Sequence, residues 1–123
     1  MQDRYAADIG DYIKLALLKS LSPGYKLGVS WFRTPDEHHN MDGKHVAYLG
    51  DDHAPKWRQF DPQLYDQLKA IVADDRRSVA ALEAKLIPGD VRFHNELLST
   101  PPERKSWFAG LKQDFSDRDL VFV

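Results

Sequence analysis

The sequence contains no cysteine. This excludes disulfide-stapled secreted folds, thiolate nucleophiles and zinc sites built on cysteine. No apolar run approaches about 18 residues, the length that a membrane-spanning helix needs, and acidic residues interrupt the N-terminal segment where a signal peptide would be apolar. We therefore expect a cytoplasmic protein that has no membrane partner.

An excess of one charge and glycine-rich phosphate loops are also missing. The net charge is −2, so the protein as a whole has no field that would attract nucleic acid or an anionic membrane. The patterns G-x-G-x-x-G and G-x-x-x-x-G-K-[ST], which bind phosphates through backbone N–H groups, do not occur, and neither does the G-x-S-x-G turn of hydrolases. These absences argue against a glycine-loop nucleotide site and against a serine hydrolase.

The composition that remains is that of an ordinary globular protein. Of the 123 residues, 42% are hydrophobic and 29% are charged. A chain of this length can bury one hydrophobic core and is too short for two domains. We therefore expect a single domain over residues 1–123.

Apolar residues recur along the chain with the spacing of helices or of strands. They predict helices over Ala7–Leu21 and after the capping residues Asp61, Ser78 and Thr100. They predict strands over Tyr25–Phe32, His45–Leu49, Val91–Phe93 and the C-terminal segment DLVFV. This alternation favours an α/β fold, a single Rossmann-like three-layer domain with a mixed or mostly parallel sheet.

The C-terminal segment DLVFV is an uninterrupted apolar run, which is typical of a strand buried on both faces. Open α/β sheets place their sites beyond the carboxyl ends of the strands. A buried strand at the end of the chain has no connection there. This indicates a fragment of a longer α/β protein.

The first predicted helix carries more apolar residues than one core-facing stripe requires. The stripe comprises Ile9, Tyr12, Ile13, Ala16 and Leu17. Leu15, Leu18 and Leu21 fall outside it, so the helix is predicted to be covered on two sides, by the core and by a long segment or a partner chain. The same helix places Asp8, Asp11 and Lys14 on one side, where Asp11 and Lys14 suit either an intrahelical ion pair or an acid and a cation of a functional site.

The densest polar cluster lies between Asp36 and His53 and holds four of the five histidines. Imidazole with carboxylate suits a divalent transition metal, and carboxylates alone suit Mg²⁺ or Mn²⁺. The spacing matches no standard metal motif. Three interpretations stay open, namely a solvated loop, a metal or catalytic site, and a loop that binds a partner.

Shorter motifs point to other chemistry. The segments Lys56-Trp57-Arg58 and Arg104-Lys105-Ser106-Trp107 place basic residues beside tryptophan, which suits stacking on single-stranded nucleic acid, although both tryptophans also suit packing. Pro35-Asp36 with Glu83-Ala84-Lys85 imitates a nuclease pattern, but the second part has helical spacing. His94-Asn95-Glu96 follows a short strand and is predicted to form a surface turn.

Several motifs recur in one family of proteins. They include Arg4-Tyr5, Asp8, Asp11-Tyr12 and Lys14, then Leu27-Gly28-Val29 and Trp31, then Pro35-Asp36-Glu37, Asn40, Asp42-Gly43, His45 and Tyr48-Leu49. In these motifs the chain resembles an uncharacterised bacterial and phage family whose longer members continue with a DPDNG-like segment. The resemblance implies a layout similar to α/β enzymes that act on nucleic acid, including methyltransferase-like and nuclease-like folds.

Together these observations predict a domain that handles nucleic acid or a nucleotide phosphate with Mg²⁺ or Mn²⁺. Asp36, Asp42 and His45 are the predicted metal ligands, and His45 is also a candidate general base. Asp11 and Lys14 are the other predicted catalytic residues, as a second-shell or phosphate-positioning pair. The alternative is a non-catalytic interaction module, phage-encoded, that binds a host protein or forms a homodimer through its first helix.

Overall fold

The structure is a computed structural model that describes residues 1–37, 39, 42–83, 86–98 and 101–123. Its helices are α1 (Ile9–Leu21), α2 (Ala54–Trp57), α3 (Pro62–Ala73), α4 (Val79–Glu83) and α5 (Arg104–Asp114). Its strands are β1 (Leu27–Ser30), β2 (Val91–His94) and β3 (Leu120–Phe122), and 3₁₀ turns cover Asp3–Tyr5, Ala47–Leu49 and Pro101–Glu103. Within these ranges, no helix has the length and apolar character needed to cross a membrane.

The three strands form a parallel sheet in which β1 lies between β2 and β3. Leu27 of β1 pairs with Val91 on one side and with Leu120 on the other. Successive parallel strands need long connections, which here contain α2, α3 and α4 between β1 and β2, and α5 between β2 and β3. The chain is therefore a mixed α/β structure with a small parallel sheet, as the alternation of helical and strand patterns predicted.

The two faces of the sheet pack on different hydrophobic clusters. Leu27 belongs to the larger cluster, which also contains the buried leucines of α1 and α3. The next residue, Gly28, faces Phe115 at the end of α5, whose ring would lie 2.7 Å from a Cβ at that position. Phe115 forms the smaller cluster with Trp107 and Leu111. Helical segments therefore cover both faces of β1.

The part of α1 that faces the core differs from the predicted stripe. Ile13 and Leu17 are 58% and 51% exposed, whereas Leu15 and Leu18, which were predicted to lie outside the stripe, are buried. Apolar residues occupy more than half of the circumference of α1, so hydrophobicity alone does not select one face. The buried side is the one that carries Tyr12, whose hydroxyl donates to Trp57 O at 2.9 Å and so ties α1 to α2. Leu15 and Leu18 therefore offer no surface to a partner.

The predicted strand over His45–Leu49 is wrong, because this segment contains the 3₁₀ turn Ala47–Leu49. Tyr48 and Leu49 are buried there. The Tyr48 backbone oxygen accepts a hydrogen bond from the Tyr65 hydroxyl at 3.0 Å, so the segment is held by α3 and not by a neighbouring strand. Strand propensity depends strongly on such tertiary context, which here overrides it.

The expectation that the C-terminal strand is buried on both faces is also wrong. β3 pairs with β1 along one edge, and its Leu120 and Val121 are 38% and 45% exposed. Phe122 contacts Trp31, with 6.0 Å between the ring centroids. Among the described residues, β3 is therefore an edge strand whose apolar side chains are partly exposed.

The capping signals identified helix starts correctly. The Asp61 Oδ1 accepts a hydrogen bond from the Leu64 N–H at 3.0 Å, and Pro62 is the first residue of α3. Ser78 accepts one from the Ala81 N–H at 3.1 Å at the start of α4. Thr100, the predicted cap of the last helix, lies outside the described residues.

Candidate functional site

The carboxyl ends of the parallel strands are the first place to look for a site in an open α/β sheet. β1 ends at Ser30 and β2 ends at His94, and these two residues are paired across the sheet. The segments beyond them stay together because the Leu98 N–H donates a hydrogen bond to Arg33 O at 2.8 Å. Side chains from both segments and from α5 therefore meet at this edge.

His94 is the most buried ionisable side chain at this edge, with 2% of its surface exposed. Its Nδ1 lies 2.7 Å from the Asp114 Oδ2 of α5. Its ring meets Trp107 edge-on, with 5.1 Å between the ring centroids. Because a carboxylate accepts hydrogen bonds and does not donate them, the Nδ1 carries the proton, and the Nε2 is left with a free lone pair when the ring is neutral.

The Nε2 of His94 is buried and has no hydrogen-bond partner among the described residues. The nearest charged atom that it faces is the Glu96 Oε2, at 3.9 Å. The Trp107 Nε1 donates to the Glu96 backbone oxygen at 3.0 Å and so holds Glu96 beside His94. His94 therefore lies between two carboxylates, one in hydrogen-bond contact and one slightly beyond it.

Trp107 also lines a groove that contains several aromatic rings. Phe32 stacks on Trp107, with 5.0 Å between the ring centroids and 22° between the planes. The backbone of Phe32 is left-handed, with φ of 46°, which a large side chain rarely adopts and which aims the ring at α5. The groove has a volume of about 540 Å³ and is lined by Phe32, Leu98, Arg104, Lys105, Trp107 and Phe108. We call it the aromatic groove.

The aromatic groove carries positive charge. Arg104 and Lys105 line it from the first turn of α5, and both side chains are exposed. Within the described ranges neither forms an ion pair. On a chain with a net charge of −2, this pair of cations is a local feature and not part of a general basic surface.

The predicted pair Asp11 and Lys14 is brought together by the structure. The Lys14 Nζ lies 3.1 Å from the Asp11 Oδ1, and the Asp11 Oδ2 accepts a hydrogen bond from the Ala7 N–H at 3.1 Å. Burial raises the pKa of Asp11 to about 6, and the nearby Lys14 opposes this shift. The carboxylate supports the left-handed Ala7, with φ of 67°, so the contacts are those of the intrahelical ion pair. A catalytic role for the pair stays a prediction.

The predicted metal ligands Asp36, Asp42 and His45 are all exposed. The Asp36 Oδ1 accepts a hydrogen bond from the Asp3 N–H at 2.8 Å, and the His45 backbone oxygen accepts one from the Ile9 N–H at 3.1 Å. In the part of the chain that the structure describes, no three histidine or carboxylate side chains are grouped so that they could hold a metal ion. The metal site of this loop stays a prediction, and His38 lies outside the described residues.

Sequence reasoning missed the residues that meet at the carboxyl edge of the sheet. His94 and Glu96 were assigned to a surface turn, although a histidine at the end of a predicted strand was a usable signal. Asp114 is 20 residues away from His94, and nothing in the local sequence connects the two. The segment Arg104-Lys105-Ser106-Trp107 was identified as a stacking candidate. Its partner Phe32 could not be found, because the contact depends on the left-handed backbone.

The fold and the site define this chain as a mixed α/β protein that has an aromatic, basic groove beside a buried histidine at the carboxyl edge of a parallel sheet. Comparison with models of protein families, with curated proteins and with solved structures finds no match for the chain.

Proposed function

We propose that this chain binds a nucleotide or a stretch of single-stranded nucleic acid in the aromatic groove. The observation that carries the proposal is the meeting of exposed aromatic rings and two basic side chains beyond the carboxyl end of a parallel strand. Stacking on aromatic rings and charge neutralisation by Lys and Arg are the two contacts that bind single-stranded nucleic acid without regard to sequence. Both are available within one groove.

The rings of the groove are accessible to a planar ligand. Phe32 and Phe108 are 41% and 54% exposed, so each keeps part of its ring surface free for a base. Trp107 is buried beneath Phe32 and holds it in place through the stacked contact. The groove volume of about 540 Å³ lies within the usual range of small-ligand sites and is large enough for a nucleoside.

The basic pair supplies what an aromatic surface alone lacks, which is attraction for a phosphate. Arg104 donates in a planar fork that matches phosphate oxygens, and Lys105 adds a compact second charge. The charge of this groove therefore favours an anionic aromatic ligand.

We further propose that the chain forms a Rossmann-like three-layer domain. Such a domain would place the aromatic groove where these folds bind their ligands, at the carboxyl edge of the sheet. It is supported by the parallel pairing of the three strands and by helical segments on both faces of β1.

Binding is tested by the fluorescence anisotropy of a short labelled oligothymidine, with unlabelled mononucleotides as competitors. We expect saturable binding that Phe108→Ala weakens about tenfold, the effect of losing one stacked base. The double variant Arg104→Gln with Lys105→Gln should weaken it further. The matched control is Lys56→Gln with Arg58→Gln, which removes two cations beside the other basic tryptophan, Trp57.

The control should bind as the wild type does. Equal losses in the control and in the groove variant would show that binding follows net charge and would contradict the proposal. Displacement by mononucleotides at similar concentration would identify a nucleotide as the ligand, and displacement only by longer strands would identify nucleic acid.

A second candidate function, self-association through α1, is favoured by one observation. Ile13 and Leu17 lie one turn apart and are more than half exposed. In this case the partner is a second copy of the chain, and Leu17→Glu should shift a dimer to a monomer in sedimentation velocity. A wild-type chain that is monomeric at high concentration would contradict it.

A further inference from the structure

The Nε2 of His94 is a buried polar atom that has no hydrogen-bond partner among the described residues. Leaving a polar atom buried without a hydrogen bond destabilises the folded state, so such atoms are rare in folded proteins. Here the Nδ1 is bonded to Asp114, and the Nε2 lies 3.9 Å from the Oε2 of the Glu96 carboxylate. An imidazole nitrogen and a carboxylate oxygen attract each other at this distance only when a proton or a metal cation lies between them.

We propose that His94 Nε2 and Glu96 Oε2 bind a divalent transition-metal ion, such as Zn²⁺, with Asp114 orienting the imidazole. This site lies beside the aromatic groove and is separate from the acidic loop of Asp36, Asp42 and His45. It needs no contribution from the nucleotide-binding function and is tested without it.

The separation of the two atoms suits a shared ion. Zinc binds imidazole nitrogen and carboxylate oxygen at about 2.0–2.2 Å, so two ligands of one ion lie less than about 4.3 Å apart. The observed 3.9 Å between His94 Nε2 and Glu96 Oε2 meets this limit. The Glu96 side chain is 65% exposed, so it is free to close the distance and leaves the remaining coordination positions to water or to a ligand.

Asp114 has the position that an outer-shell carboxylate takes in metal sites. A histidine ligand almost always donates its second ring N–H to a carboxylate, a backbone carbonyl or water, which fixes the tautomer and raises the basicity of the nitrogen that binds the metal. The 2.7 Å contact between His94 Nδ1 and Asp114 Oδ2 meets this requirement. His94 therefore presents the correct nitrogen without rearrangement.

A second histidine–glutamate pair of the chain shows what distinguishes this one. The His39 Nε2 lies 3.8 Å from the Glu37 Oε2, almost the same separation, but the two side chains are 73% and 51% exposed. Because water already hydrates both exposed side chains, replacing that water with a metal ion would stabilise the pair little. His94 is buried and held by Asp114, so it is preorganised for a metal, and the Glu37 pair serves as the matched control.

The experiment is a calorimetric titration of the chain with Zn²⁺ alone, for the wild type, Glu96→Gln, Asp114→Asn and Glu37→Gln. We expect one bound ion per chain. Glu96→Gln should weaken binding at least tenfold because it removes a ligand, and Asp114→Asn about tenfold because it keeps a hydrogen-bond acceptor and loses the charge. Glu37→Gln should stay within about twofold of the wild type. Neither Glu96 nor Asp114 is buried, so these variants keep the core intact.

A spectroscopic readout shows which ring binds the ion. In long-range ¹H–¹⁵N spectra of the five imidazoles, Zn²⁺ should move the Nε2 signal of His94 and leave the others in place. Mg²⁺ should not move it, because Mg²⁺ prefers oxygen ligands. Absence of Zn²⁺ binding, an unchanged His94 signal, or loss of affinity in Glu37→Gln but not in Glu96→Gln would each overturn the proposal.

Discussion

The ring of Phe115 lies directly against the backbone of Gly28, so closely that a Cβ at residue 28 would be 2.7 Å from it. Gly28 is in the central strand of the sheet, and Phe115 ends the helix that covers one face. Glycine inside a strand usually marks such a close approach. The contact therefore fixes how near α5 lies to the sheet, and with it the distance from Asp114 to His94.

Gly28→Ala is expected to destabilise the protein by about 1–3 kcal/mol, the usual effect of forcing a methyl group into a packed core. Urea unfolding measures the difference. Gly24→Ala is the control, because the nearest atom to its Cβ would be 4.0 Å away, and its stability should be unchanged or slightly higher. Equal stabilities of the two variants would mean that Phe115 moves aside freely.

Asp11 is expected to make the stability depend on pH. Burial raises the pKa of its carboxyl from 3.8 to about 6 in the folded chain. The folded state therefore binds the proton of the Asp11 carboxyl more tightly than the unfolded state does. The stabilisation that this bound proton provides is lost as the pH rises from about 4 to beyond 6. A difference of about two pKa units corresponds to about 3 kcal/mol.

The measurement is the unfolding free energy of wild type and Asp11→Asn at pH 4 and pH 7. Asparagine keeps an acceptor for the Ala7 N–H and does not titrate. The wild type should lose stability relative to the variant between the two values. Parallel pH profiles would show that Asp11 has an ordinary pKa in the folded chain.

Asp75→Gly is expected to stabilise the protein. Asp75 follows the end of α3 with φ of 54°, where the Arg76 N–H donates to Ile71 O at 3.0 Å, the bonding of a glycine-type helix end. Glycine adopts this backbone without strain, so we expect a gain of about 0.5–1 kcal/mol in thermal unfolding. Asp74→Gly, one residue earlier and with negative φ, should lower the stability instead.

The salt dependence of binding should distinguish the contribution of charge from that of stacking in the aromatic groove. For single-stranded nucleic acid, log K falls with log salt by about 0.7 per phosphate contact. Removing Arg104 and Lys105 should therefore reduce the slope by about 1.4. Phe108→Ala should lower the affinity at every salt concentration and leave the slope unchanged, which anisotropy titrations at three ionic strengths would show. A slope that falls equally in both variants would contradict this division of roles.

Local signals in the sequence predicted the local structure. The caps at Asp61 and Ser78 mark where helices begin, because the responsible hydrogen bonds act over a few residues. The parallel pairing followed from the alternation of helices and strands. The exposed side of α1 and the turn at Tyr48 could not be predicted, because both depend on contacts with residues distant in the sequence, such as the hydrogen bonds of the Tyr12 and Tyr65 hydroxyls to backbone oxygens.

The site was less predictable than the fold. The metal site of the acidic loop was predicted from histidines and carboxylates that are dense in the sequence, and it stays a prediction. His94 and Asp114 contribute one residue each from β2 and α5, and their contact exists only when α5 lies on the sheet. The basic tryptophan segment was recognisable, since stacking and charge are properties of the residues themselves.

The central position of β1 also constrains how the chain folds. Lys26, next to β1, binds Asp119 across a separation of 93 residues, and β3 follows immediately. Closing so long a loop loses more entropy than the contacts between α1 and α3 require, and nonlocal pairing slows folding. We therefore expect the sheet to be completed after the helical layer, with β3 as the strand that joins last and detaches first. Amides of β3 should exchange with solvent while those of α1 and α3 are still protected.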